Sequence, residues 1–410
     1  MKLYKDAQNA LYLYKNGYLD TLDNRRKQTI INGSLLKRLT IIFINVVKEF
    51  NLLFSNPTKL EIADKVVCMV NSENNFNSLI FLNSKNMVFI KATVLGKPID
   101  NAKQVIFKSK FYYSLLFFLL LPYTLLFRIN RQNLILLHKA FGLQAMFKGK
   151  FSKNKPQKVI FANDHIPEMR AYILACKELG IETFYIQHGS VSKYFPPLIF
   201  SHALLESEYS AATYQNIKPV KNGVIKLIGI PKLDAAIRFN RTRDKIEIIG
   251  LAINQNDDFL IVNKLINELI SFAYKVLLRK HPADNRDFNS QLLVEDGNKI
   301  NVLEFVQKCD FLIASDSSIH VEANSLKCRS LYYQMHTNKK KYDYYGFVKN
   351  GYVDEAFDTH GIVEYLKRFD YAKADFTTNK YQFYNSTIGT IYYGKSSELA
   401  KKYIYEGVDY

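Results

Sequence analysis

KVIFANDHIPEMRAYILACKELGIETFYIQHG, residues 158–189, reads as a strand, a helix and a second strand in succession. The apolar run of Lys158 to Phe161 stops at Asn163-Asp164-His165. From Ile166 the apolar residues recur at helical spacing, with Pro167 in the first turn and Gly180 as the stop. Ile181 to Ile186 is apolar again and ends in Gln187-His188-Gly189. Two strands joined through a helix lie parallel, because a tight hairpin cannot connect them.

The alternation continues outward from this unit. Towards the C-terminus, EIIGLAIN (247–254), a helix over 257–273, KVLLRKHP (275–282), a short helix over 284–293, KINVL (299–303), helical EFVQKCD (304–310), FLIASDSS (311–318), a helix from Ile319 and SLYYQM (330–335) follow one another. Towards the N-terminus, KVVCMVNS (65–72), SLIFLN (78–83) and MVFIKATV (87–94) read as strands. Strands alternating with helices make a parallel sheet covered on both faces. The expectation is therefore an α/β protein of two Rossmann-like domains, divided near Ile228 to Asp244, where GIPKLDAAIRFNRTRD turns from apolar to charged. A length of 410 residues suits two domains of ordinary size.

The charge is uneven. The net charge is +18, and between Asp100 and Asp164 eleven Lys and Arg occur without one acidic residue. Such an excess predicts an anionic partner. Inside the basic block lies FYYSLLFFLLLPYTLLF, residues 111–127, flanked by Lys108, Lys110, Arg128 and Arg131. Seventeen residues interrupted by Pro122 is short for a membrane span. The segment at about 101–155 is expected to face an anionic inner-membrane surface, with burial as the alternative. MKLYKDAQNALYLYKNG, at the start, lacks the core of a signal peptide. The four cysteines are widely spaced, which predicts no disulfide framework and no structural zinc. A cytoplasmic protein, peripheral on the inner face of the membrane, is the expectation.

In open parallel sheets ligands bind beyond the carboxyl ends of the strands. Four polar clusters fall there: Asn163-Asp164-His165, Gln187-His188-Gly189-Ser190, His281-Pro282, and Ser315-Asp316-Ser317-Ser318. Ser317 or Ser318 can cap the helix that carries Glu322, where free backbone N–H groups suit a phosphate. His281, with Lys280 and Arg279, can donate to a phosphate. Asp164, His165 and His188 are candidates for a general base. Gly389 to Ser396, GTIYYGKS, matches the phosphate-binding loop pattern only formally, since fourteen residues follow it. Neither Asp-x-Asp nor paired histidines occur, so no metal and no cofactor are expected. Absence of Gly-x-Ser-x-Gly weighs against an α/β-hydrolase.

Four of these motifs, taken in order, resemble a known family. Ile186-Gln187-His188-Gly189, Gly229-Ile230-Pro231 followed by Asp234, His281-Pro282, and Ser315-Asp316-Ser317-Ser318 with Glu322 are similar to motifs of bacterial GT-B glycosyltransferases that build capsule and lipopolysaccharide. The His-Pro and Ser-Ser pair looks like that of sialyltransferases, polysialyltransferases and Kdo transferases. The resemblance implies two domains facing a central cleft, with an acceptor-binding domain at 1–235, a donor-binding domain at 236–374, and tail helices at 375–410 that pack back on the first domain. It also implies that His281, Pro282, Lys280, Ser315, Asp316, Ser317 and Ser318 surround the phosphate of a CMP-sugar, and that Glu322 approaches its ribose. Gln187, Gly189 and Gly229 would line the cleft. The acidic motif that carries the catalytic residue in several sialyltransferases is missing, and Asn163-Asp164-His165 stands nearest its place. The implied reaction moves a nonulosonic acid or Kdo from CMP to a hydroxyl of a capsule or lipopolysaccharide glycan. Alternatives are a CDP-glycerol or CDP-ribitol phosphotransferase and an enzyme like UDP-GlcNAc 2-epimerase. Nucleic acid is not an expected partner, because the basic block is interleaved with long apolar runs rather than with stacking aromatics on a polar surface.

Overall fold

A computed structural model describes residues 2–11, 33–55, 61–91, 98–105, 107–127, 131, 133–221, 223–239, 241–281, 284–288, 294–337 and 342–406. It divides into two compact units. The first holds Met1–His188, Lys193–Leu205 and Ala211–Lys226; the second holds Gly189–Ser192, Glu206–Ser210 and Leu227–Tyr410. The second unit thus takes in the Gly229-Ile230-Pro231 turn.

The first unit is built on a seven-stranded sheet in the order β3-β2-β1-β4-β5-β6-β7. Its strands are β1 (Val66–Val70), β2 (Met87–Lys91), β3 (Lys103–Gln104), β4 (Lys158–Phe161), β5 (Glu182–Ile186), β6 (His202–Leu205) and β7 (Val224–Leu227). Neighbours from β3 through β6 run parallel. β1 and β4 are buried along almost their whole length, as near-continuous apolar strands between two helical layers must be. The helix Pro167–Glu178 forms where the periodicity predicts it.

SLIFLN is not a strand. Glu73–Leu79 is helical and runs into a 3-10 turn at Ile80–Leu82. Ser72 Oγ accepts from Asn75 N at 3.3 Å, and β2 pairs parallel to β1. The chain must therefore cross back between them, and local β-propensity yields to that requirement. The 111–127 segment is two helices, Ser109–Leu119 and Leu121–Leu126, with Pro122 in the first turn of the second. Among the described residues no helix is long and apolar enough to cross a membrane. One stripe of the pair is buried through Lys110, Ser114, Phe117 and Thr124, while Leu119 and Leu126 stand exposed.

The second unit carries a six-stranded sheet, β10-β9-β8-β11-β12-β13, parallel throughout. The strands are β8 (Ile248–Ile253), β9 (Lys275–Lys280), β10 (Val294–Asp296), β11 (Phe311–Ala314), β12 (Arg329–Tyr333) and β13 (Asp354–Ala356). KINVL is again not a strand: Asn301 Oδ1 accepts from Leu303 N at 3.0 Å and Glu304 N at 2.9 Å, starting the helix Val302–Lys308. Of the helix expected over 284–293, residues 284–288 have no regular structure, and 289–293 fall outside the described residues. The tail belongs to this second unit: Tyr381, Tyr384 and Ile388 share a core with Ile230, Leu233, Val321 and Tyr332. All four cysteines are free and buried.

Candidate functional site

Each sheet changes direction once. In the first unit the chain builds β1, β2 and β3 outward, then returns to lay β4 beside β1. In the second the return lies between β8 and β11. Ligands of open α/β sheets bind beyond the carboxyl ends of the strands at such reversals. The sequence motifs stand there.

In the first unit, Asn163, rather than Asp164, holds the turn into the next helix, its Oδ1 accepting from the N–H groups of His165 and Ile166, both at 3.1 Å. Asp164 is 1% exposed and takes the Tyr214 hydroxyl on Oδ2 at 2.6 Å. Its Oδ1 faces His165 Nδ1 at 3.1 Å. Burial and then the adjacent carboxylate keep the Tyr214 hydroxyl protonated, its pKa pushed well up. His165 is 24% exposed and its ring packs on Phe195 at 5.3 Å between centroids. A buried carboxylate that accepts Nδ1–H leaves Nε2 with the lone pair, and that is the arrangement of an oriented imidazole base. Nε2 lies 3.5 Å from the Asn163 side-chain amide. Asp164 is thus enclosed, with His165 and Tyr214 as its side-chain partners. At the end of β5, Gln187 is buried and bonds Leu204 O from its backbone. Asn75, in the first turn of the helix after β1, donates to His188 Nε2 at 3.2 Å. A Cβ on Gly189 would meet nothing within 4 Å, so the chain's own packing does not demand glycine there.

In the second unit, Ser318 occupies the N-cap of Ile319–Ser325 without a side-chain cap, and Ser317 Oγ accepts from Ile319 N at 3.4 Å. This helix has only seven residues, so hydroxyls and neighbouring cations must carry more of any anion binding than its dipole. His281 is exposed at the end of β9; its N–H bonds Ile253 O at 3.0 Å, and Pro282 lies outside the described residues. Several residues expected around the donor have protein partners instead. Lys280 Nζ donates to Arg286 O at 2.8 Å. Ser315 Oγ donates to Asp257 Oδ1 at 2.7 Å. Asp316 accepts from Tyr332 Oη at 2.9 Å, His336 Nε2 at 3.0 Å and Tyr344 N at 2.6 Å. Both of its oxygens are therefore occupied in fixing the turn that presents the two serines. His320, buried beneath that turn, donates to Ser315 O at 3.1 Å, and burial lowers its pKa to about 4, so it stays neutral.

Glu322 is buried and paired with Lys232, three residues past Gly229. Burial alone would lower the Lys232 pKa; Glu322 and then Glu206 outweigh it and raise it. Glu206 is pushed up to about 7, mainly by burial. Gly229 has φ +71°, and a Cβ there would come 2.4 Å from Thr387 Oγ1 and 2.6 Å from Ser396 Oγ. Its N–H bonds Ser386 Oγ at 3.0 Å, so Gly229 seats the tail. Asp234 accepts from Ser396 N at 2.9 Å and Ser397 N at 2.7 Å. The Asp234 carboxylate thereby occupies the amide of Ser396, the last residue of GTIYYGKS, and that of Ser397 just beyond it.

No family model and no curated protein matches the chain. Solved structures do. Wall teichoic acid polymerase TagF aligns with a TM-score of 0.53 at 14% identity, over 91% of this chain and 97% of that one. UDP-GlcNAc 2-epimerase from Neisseria meningitidis, bound to UDP-GlcNAc, aligns with a TM-score of 0.50 at 13% identity, over 83% and 100%. Another UDP-N-acetylglucosamine 2-epimerase gives 0.51 at 14% identity, over 85% and 98%. The fold is GT-B.

Several residues of this GT-B chain that support the strand ends are not legible as motifs. Arg286 grips Asp284 through Nε at 2.8 Å and Nη2 at 2.5 Å, and donates to Asn254 O at 3.0 Å, tying the loop after β9 to the end of β8. Burial alone would raise the Asp284 pKa; the guanidinium outweighs it and holds the carboxyl below its usual range. Asn254 Nδ2 reaches Asp316 O at 3.2 Å across the switch point. Asn75 and Tyr214 play similar parts in the first unit. Each is an ordinary polar residue in an unremarkable window, and only the sheet order brings it to its partner. A cavity of about 740 Å³ beside Arg329, Tyr365, Phe369 and Tyr381 adjoins the amino end of β12, opposite the end at which open α/β sheets bind ligands, and Arg329 is paired with Asp354 at 2.6 Å.

Proposed function

We propose that this chain is a glycosyltransferase that moves an acidic sugar of the nonulosonate or Kdo class from a CMP donor to a hydroxyl of a cell-surface glycan. The observation that carries the reading is the pair of serines at the switch point of the second sheet, held by Asp316, His320 and Asn254, with exposed His281 at the end of β9. In this reading the bond from the anomeric carbon to the phosphate oxygen breaks, and the departing CMP is stabilised by the Ser317 and Ser318 hydroxyls and by His281. The acceptor oxygen bonds to the anomeric carbon, and its proton passes to His165 Nε2. Asp164, braced by Tyr214, keeps His165 in the tautomer that can receive it. Neither the leaving group nor the base requires a metal in this scheme.

A CDP-polyol phosphotransferase is the second reading, favoured by the 91% of this chain that superposes on TagF. Thermal denaturation with CMP, CDP, UMP, UDP and GDP separates the two. A nucleotide at one hundred times its Kd adds about 2.7 kcal/mol of stability. Selective stabilisation by CMP and turnover of a CMP-activated acidic sugar are expected. Stabilisation by CDP with turnover of CDP-glycerol would replace the first reading by the second. His281→Ala and the Ser317→Ala/Ser318→Ala pair should each lower turnover by about 10²-fold or more with the circular dichroism unchanged. Wild-type turnover by both would overturn the donor site.

A further inference from the structure

The helix Leu35–Phe50 presents an apolar face to solvent. Leu36 is 76% exposed, Phe43 61%, Val47 50% and Phe50 44%, and Phe54, in the following turn, is 75% exposed. Steps of seven, four, three and four residues put them on one face. Ile42, Val46 and Glu49, on the other, are buried. The helix Ser109–Leu119 lies against it: Phe50 and Phe111 meet edge to face at 5.4 Å, and the Ser114 hydroxyl donates to the Glu49 carboxylate. This second helix exposes Tyr112, Leu115 and Leu119, and the next one Leu126. Together they form one apolar surface in the first unit.

We propose that this surface is a docking face for an anionic lipid bilayer, on which the two helices lie flat. Three observations favour a bilayer. Lys37, Arg38, Lys48 and Lys108 lie on or beside these helices, and no acidic residue occurs from Asn101 to Asn163. Glu49, the one carboxylate of Leu35–Phe50, is buried, and burial raises its pKa despite Lys110 and Ser114. Among the described residues these helices expose no carboxylate, so the surface is apolar with a cationic border, the complement of acyl chains beneath anionic headgroups. Tyr112 adds an amphipathic ring of the kind enriched at headgroup depth. A second copy of the chain fits less well, because a two-fold contact would set the same cations against each other. Among the described residues neither helix is long and apolar enough to span, so the face lies on the membrane rather than through it. The inference stands apart from the identity of the donor.

Sedimentation of the full chain with vesicles tests it. Binding to phosphatidylcholine vesicles containing phosphatidylglycerol is expected, weaker with phosphatidylcholine alone and weaker at high salt. Phe43→Ser/Val47→Ser and Leu119→Ser/Leu126→Ser should each reduce binding about tenfold or more, since each removes two side chains from the apolar phase. These positions are exposed, so the melting temperature should hold. As a second readout, Leu119→Cys can be labelled selectively with an environment-sensitive dye, because the four native cysteines are buried. Its emission should shift to the blue on anionic vesicles. No vesicle binding by the wild type, equal binding by the serine variants, an unshifted dye, or a wild-type dimer that the serine variants dissociate would each overturn the proposal.

Discussion

Lys232→Met removes the cation between two buried carboxylates while keeping an unbranched apolar stem. Lys232 pairs with Glu322 and interacts with Glu206, and the side chains of Lys232 and Glu322 are 25% and 7% exposed. Removing one partner of a buried pair costs about 3–5 kcal/mol, because the other is left as an unpaired buried charge. The partial exposure of the ammonium places this case near the lower end, at about 3 kcal/mol. At about 2–4 °C per kcal/mol, the unfolding transition of the second unit should fall by about 6–12 °C at pH 8. The loss should depend on pH in a definite direction. Glu206 sits at about 7, raised mainly by burial, with Lys232 lowering it and Glu322 raising it. Without the cation Glu206 binds its proton more tightly, so by pH 5 its protonation relieves much of the penalty. Calorimetry at pH 5 and pH 8 reads the difference. Lys232→Met/Glu322→Gln should recover most of the deficit at pH 8, as removal of a whole buried pair costs less than breaking it. An equal deficit at both pH values, or none, would refute the account of the cluster.

Other outcomes follow from single contacts. Glu206→Gln should stabilise the protein above pH 7 by up to about 3 kcal/mol and have little effect near pH 4.5, in urea titrations across that range. The sign is set by the raised folded pKa of about 7: the stability that protonated Glu206 contributes is complete below the ordinary carboxyl pKa and is lost as pH rises through 7. Gly229→Ala should cost about 2–4 kcal/mol from its positive φ and the crowding of Thr387 and Ser396, and should expose the tail to limited proteolysis; unchanged urea midpoints would count against the docking described. Lys110 donates to His138 O at 2.8 Å, Phe141 O at 3.1 Å and Lys139 O at 3.3 Å, and although burial lowers its pKa to about 8 it stays charged at neutral pH. Lys110→Met would remove all three bonds, leaving His138 O only its bond from Phe141 N at 3.3 Å, and should cost about 3–5 kcal/mol by denaturant midpoint. Asp164→Asn should lower turnover more than it lowers donor binding, since it disturbs the tautomer of His165 and the Tyr214 contact but no residue of the donor cluster; equal losses in both would argue against the positioning role.

The alternation of apolar runs with helical periodicity was enough to establish two parallel sheets, because strands buried on both faces leave a period and a composition that little else mimics. The ends of those strands were legible for the same reason: where β4, β5, β9 and β11 stop, the polar residues stand out against apolar neighbours. SLIFLN and KINVL were misread because a short β-rich window cannot reveal that its neighbours pair parallel and force a crossover. Tertiary structure alone decided what each motif residue touches. The sequence offers Asp164 as a candidate base and Glu322 as a residue near a ribose, yet both are enclosed, one by Tyr214 and His165 and the other by Lys232 from ninety residues away. Gly229 reads as part of a ligand turn and seats a tail more than 150 residues further on. Burial, pairing and the outward apolar face of Leu35–Phe50 depend on which elements pack together, and that follows from sheet order rather than from any local window.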